Sequence, residues 1–106
     1  ELAVARTQVG REIDRIVAER AALATEIDRI EREVLPSAAR AVTLVRDGFA
    51  RGGTAFTFLE VNQAQQAVVD ARSRRVELLR RFHLGGARLD RLTGRHASLL
   101  SSAENR

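Results

Sequence analysis

Across 106 positions the chain has no cysteine, lysine, methionine, tryptophan or tyrosine, a single proline, and only four aromatic residues, all phenylalanine. Without thiols, neither a disulfide framework nor a thiolate metal site is available. With so few bulky aromatics, filling a broad globular core is difficult, and 106 residues amount to one domain at most. No apolar run approaches the roughly 20 residues that a membrane-spanning helix requires. His83 and His96 are the only histidines and have no carboxylate at ligand spacing beside them, so no metal or cofactor is expected. No Ser/His/acid constellation, phosphate loop or paired buried carboxylates can be assembled, and the chain does not read as an enzyme.

What remains is a composition of long helices: alanine, leucine, valine, arginine and glutamate. All eighteen basic residues are arginine, and fourteen acids leave a formal charge of +4. Arginines and acids are interleaved, as in Arg29, Glu31, Arg32 and Glu33. That pattern describes a salt-bridged solvent face and argues against nucleic acid as a partner.

The stretch Asp47-Gly48-Phe49-Ala50-Arg51-Gly52-Gly53-Thr54 gathers three glycines and is where the chain is expected to reverse. Before it, Leu2, Val9, Ile16, Leu23, Ile30, Ser37 and Leu44 recur every seven residues, with Ile13, Ile27, Val34 and Ala41 interposed. This is a coiled-coil seam whose polar exceptions are Arg6 and Arg20. Pro36 removes a backbone donor and crowds the Arg32 carbonyl; because the heptad phase runs through it, a kinked but continuous helix over 1–48 is expected.

After the tip at 49–54, a second helix over 55–94 carries Val61, Val68, Arg75, Phe82 and Leu89, with Ala64, Ala71, Leu78, Gly85 and Leu92 between them. Folding at Gly52 sets Leu44 against Val61, Ala41 against Ala64, Ile27 against Leu78 and Leu23 against Phe82. The fold class expected is therefore all-α, a long antiparallel two-helix coiled-coil hairpin. The same register places Arg20 over Gly85 and Gly86, whose missing side chains would admit its stem. A second apolar line, Val69, Val76 and Leu79, points away from the seam and would drive self-association. Thr93-Gly94 reads as a helix end, leaving 95–106 as a flexible tail.

Taken together, Phe56-Thr57-Phe58-Leu59-Glu60-Val61-Asn62-Gln63-Ala64-Gln65, Asp70-Ala71-Arg72, Phe82-His83-Leu84 and Leu89-Asp90-Arg91-Leu92-Thr93-Gly94 resemble, in order and spacing, the C-terminal repeat of the TolC-like outer-membrane efflux proteins. The resemblance covers roughly residues 9 to 94 and also takes in Val34-Leu35-Pro36. It implies a periplasmic hairpin of a trimeric transmembrane transporter in the outer membrane of a Gram-negative bacterium, part of a TolC-type α-barrel. The partners it implies are a periplasmic adaptor protein and an inner-membrane pump. Carried over by position, Phe49, Gly52, Gly53 and Thr54 would form the tip that docks the adaptor, and Glu60 with Gln63 would line the entrance constriction. The sequence departs from the family in a longer tip, in Phe49 where tyrosine is common, in Asn62 for leucine and in Gln63 for a second acid. Two other readings stand beside this one: the α-hairpin of a periplasmic adaptor, and a generic coiled-coil oligomerisation scaffold.

Overall fold

The computed structural model describes residues 1–52 and 56–104, and these are all-α. Helix α1 (Leu2–Arg29) passes through a π-helical turn, Ile30–Val34, into α2 (Leu35–Ala50). The chain then reverses and α3 (Phe58–Glu104) runs back antiparallel over 47 residues. Two compact units result, one formed by Glu1–Thr25 with Leu79–Arg106 and the other by Glu26–Leu78.

In the first unit the seam behaves as its spacing predicts. Val9 and Ile16, a heptad apart on α1, are 3% and 2% exposed and pack with Leu92 of α3. Ile13, Leu89 and Leu99 close over them. Leu99 lies beyond Gly94, where the helix was expected to end. Instead α3 continues to Glu104, because His96, Leu99 and Ala103 extend the seam and are each partly buried. Gly94 costs about 1 kcal/mol in a helix interior, and partial burial of Leu99 against the Val9–Ile16–Leu92 cluster offsets a cost of that order.

The second unit holds Ile27, Ile30, Val61, Ala71 and Leu78 in its core, Leu78 without any exposure. Here one expectation is corrected. Ser37, Ala41 and Leu44 do not face inward: all three are exposed, Leu44 by 64%, while Leu35, Ala38, Val42 and Val45 are partly buried. The cause is the π turn. The Leu35 N–H donates to the Ile30 carbonyl, five residues back, which accommodates one extra residue and advances every later position by one. Pro36 explains why it forms there, since an N–H-less ring facing the Arg32 carbonyl disfavours the regular four-residue step. Helical structure runs on through Pro36, but its buried stripe is re-phased.

The expectation of a transmembrane, outer-membrane transporter is corrected as well. Among the described residues no helix is long and apolar enough to cross a membrane, because arginines and acids recur in almost every turn. Those terms do not describe these helices.

Candidate functional site

Two places in the structure do more than continue a seam: the reversal and a half-buried arginine. At the reversal, α2 ends with the Arg51 N–H on the Asp47 carbonyl at 3.2 Å and the Gly52 N–H on the Phe49 carbonyl at 3.1 Å. Gly52 has φ of +71°, a left-handed conformation that a side chain would resist. Gly48 is small for a different reason. A Cβ there would stand 2.7 Å from Cε2 of Phe56, whose ring lies across the glycine.

Phe49 and Phe58 meet from opposite sides of the reversal, ring centroids 6.2 Å apart and tilted by 51°. Both remain open to solvent, 44% and 65% exposed, and Leu59 beside them is 63% exposed. Thr57 starts α3: its Oγ1 accepts the Glu60 N–H at 3.2 Å, satisfying one of the helix's orphan donors. The Thr-x-x-Glu spacing of a capping box is legible in the sequence at this helix start. Glu60 and Gln63 are exposed, three residues apart and hence on one side of α3. Of the residues expected at the tip, the structure brings Phe49 and Gly52 together; Gly53 and Thr54 lie outside the described residues.

Arg20 occupies a seam position in the first unit and points across to α3. Its Nε donates to the Phe82 carbonyl at 3.2 Å, and its guanidinium carbon stands 4.1 Å from the centroid of the Phe82 ring. The stem runs over the paired glycines as their spacing predicts. A Cβ on Gly85 would lie 3.1 Å from Cγ of Arg20, and one on Gly86 2.9 Å from Nη2. The glycines thus admit the stem where a leucine would close the seam, and a cation held over a ring contributes about 0.5–1 kcal/mol at a partly open site. A groove of about 240 Å³ opens beside it, with Ile16, Leu23, Leu84 and Gly85 as apolar lining and Glu19, Arg20, Arg81 and Arg88 around them.

The charged residues flanking the seam are expected to form a solvated face, and several do pair along one helix: Arg15 with Glu19, Arg29 with Glu33, and Arg32 with Asp28 at 2.8 Å. Sequence reasoning missed the pairs that cross between arms. Arg74 donates to Glu26 at 2.9 Å and Arg75 to Glu31 at 2.8 Å in the second unit, and Arg88 donates to Glu12 in the first. For two of them the signal was available, since Arg74, Arg81, Arg88 and Arg95 recur every seven residues on α3, as do Glu12, Glu19, Glu26 and Glu33 on the first arm; Arg75 and Glu31 lie outside these rows. In an antiparallel pair such flanking positions face one another.

His96 carries a buried Nδ1 with no hydrogen-bond partner among the described residues, and His83 meets the Phe82 ring edge-on at 5.8 Å. Among the described residues no three His, Asp or Glu side chains converge as metal ligands do. Compared with protein-family models, curated proteins and solved structures, the chain finds no match.

Proposed function

We propose that this chain is a helical-hairpin scaffold: its seam zips the chain's own two arms, and its leftover apolar residues pack against further helices, beginning with second copies of itself. One observation carries the reading. Val69 and Val76, a heptad apart on α3 and off the seam, are 50% and 63% exposed although the helix already has a partner. A line of this kind serves a second neighbour. Sedimentation equilibrium tests it: the chain self-associates as its concentration rises, and Val69→Glu with Val76→Glu keeps it monomeric with its helicity intact. A chain that stays monomeric at the highest concentrations reached would reject the scaffold.

The exposed aromatic pair at the reversal favours a second, more specific reading. Together with the resemblance to efflux proteins, Phe49 and Phe58 support a periplasmic hairpin in a trimeric export conduit, its tip formed by Phe49, Gly52, Gly53 and Thr54. In that reading the tip meets the hairpins of an adaptor linked to an inner-membrane pump, and Glu60 and Gln63 border the entrance. Exposed aromatics frequently anchor interfaces. Phe49→Ser with Phe58→Ser would then abolish adaptor binding while sparing self-association, whereas retained binding would leave only the general scaffold.

A further inference from the structure

Charge is distributed unevenly between the two units. Residues 26–78 carry eight arginines against eight carboxylates, whereas residues 1–25 and 79–106 carry ten against six, so the whole formal excess of the chain resides in the first unit. Within that unit the two flanks of the seam differ in charge. On one flank of the seam stand Arg81, Arg88 and Arg95 of α3, and facing them Glu12 and Glu19 of α1. On the other flank the heptad positions are Ala3, Gly10 and Val17 of α1 and Gly86, Thr93 and Leu100 of α3, with no charge among them.

The charged flank is a ladder that lacks a rung. Arg88 donates to Glu12, and one heptad further along α3 the antiparallel register brings Arg95 level with position 5. That residue is Ala5. Arg95 accordingly makes no ion pair or hydrogen bond among the described residues, and neither does Arg91, one turn away on the same side of α3, nor Arg11 on α1. Arg91, Arg95 and Arg11 are all exposed. Arg11 also borders a surface groove of about 390 Å³ together with Gln8, Glu12 and Arg15.

We infer that this arginine face binds an acidic amphipathic helix of a partner protein, whose carboxylates, one turn apart to match Arg91 and Arg95, supply the counter-charges that Ala5 does not. Two features select a carboxylate helix over a phosphate polymer. Glu12 and Glu19 stand among the arginines and would repel a continuous phosphate backbone, while carboxylates placed at intervals pass between them. The groove beside Arg20 is floored by Ile16, Leu23 and Leu84, which suits the apolar stripe of a helix. Arginine, the only base this chain uses, grips a carboxylate through two parallel N–H bonds. The assignment rests on the scaffold reading and names the chemistry of one partner.

The test is fluorescence anisotropy with an amphipathic peptide of about 21 residues bearing glutamates one helical turn apart, alongside the same peptide with glutamine. The intact chain binds the glutamate peptide, binding weakens as salt rises, and Arg91→Glu with Arg95→Glu lowers affinity about tenfold or more. Both side chains are exposed, so circular dichroism of the variant should match that of the parent. Equal binding of the glutamine peptide, or unchanged affinity in the double variant, would overturn the assignment. So would duplex DNA or phosphatidylglycerol vesicles that displace the peptide, since they would make the face a general polyanion surface. The two readings fail separately: Val69→Glu with Val76→Glu ends self-association without touching this face, and Arg91→Glu with Arg95→Glu does the reverse.

Discussion

The first arm before Ile30 and the first arm after Val34 share one heptad pattern in sequence and differ by one residue in what they bury. Up to Ile30 the pattern and the buried set coincide, with Val9, Ile16, Ile27 and Ile30 all inside. Beyond the π turn, Leu44 of the expected set is 64% exposed and its neighbour Val45 is partly buried in its place. A seven-residue repeat therefore reports burial only while the hydrogen-bond ladder beneath it stays regular. One five-residue step shifts every later position by about 100° around the helix axis, which is enough to exchange an inner for an outer face.

The largest effect expected from this contrast concerns depth. Ile16 is 2% exposed, whereas no residue of α2 is fully buried. Ile16→Ala should cost about 2–5 kcal/mol through lost transfer energy and a cavity. Val45→Ala, at a half-covered position, should cost about 1 kcal/mol. Urea unfolding at one fixed protein concentration measures both. Equal costs would mean that α2 is packed as tightly as α1 and that the difference between the two stretches is superficial.

A smaller effect tests the cause. Pro36→Ala restores the missing donor and relieves the Arg32 carbonyl, so the π turn should relax to a regular helix with a gain of about 1 kcal/mol, the net worth of one hydrogen bond. The informative readout is a change of side. With single cysteines introduced at Leu44 or Val45, maleimide labels position 44 faster in the parent and position 45 faster in the Pro36→Ala background. An unchanged order would show that packing against α3, and not the proline, sets the phase.

The sequence made most of the fold legible. The reversal at Gly52, the antiparallel pairing of the arms up to Ile30, the α3 seam and the recess for Arg20 over Gly85 and Gly86 all follow from periodicity and glycine placement. The phase after Pro36 did not follow, for a physical reason: Val34 and Leu35, Ala41 and Val42, and Leu44 and Val45 are adjacent apolar pairs, so the composition supports either phase. The proline carries the deciding information, and its effect is a change of phase in addition to a kink. At the tip, backbone freedom does not explain Gly48, whose role is to leave room for Phe56, a contact that depends on where the returning chain crosses. Glu60 belongs to the first turn of α3, where its backbone N–H is the one that Thr57 caps.

The smallest expected effect discriminates most finely. If the re-phased stripe is correct, Leu44 is a surface residue despite its place in the heptad series, and Leu44→Gln should change stability by no more than about 0.5 kcal/mol, as surface substitutions do. Val45→Gln puts an amide where a partly buried aliphatic group faces α3 and should cost clearly more, about 1–2 kcal/mol. The two substitutions lie one residue apart, carry the same new side chain and have similar helix propensity, so local chain effects nearly cancel in the comparison. Reversal of the two costs would place the expected seam back on Ala41 and Leu44 and remove the π turn's consequence for packing. A near-zero cost at both would indicate that the arm beyond Val34 is held to α3 chiefly at the reversal, by Phe56 over Gly48 and by the Phe49–Phe58 pair, and not along its length.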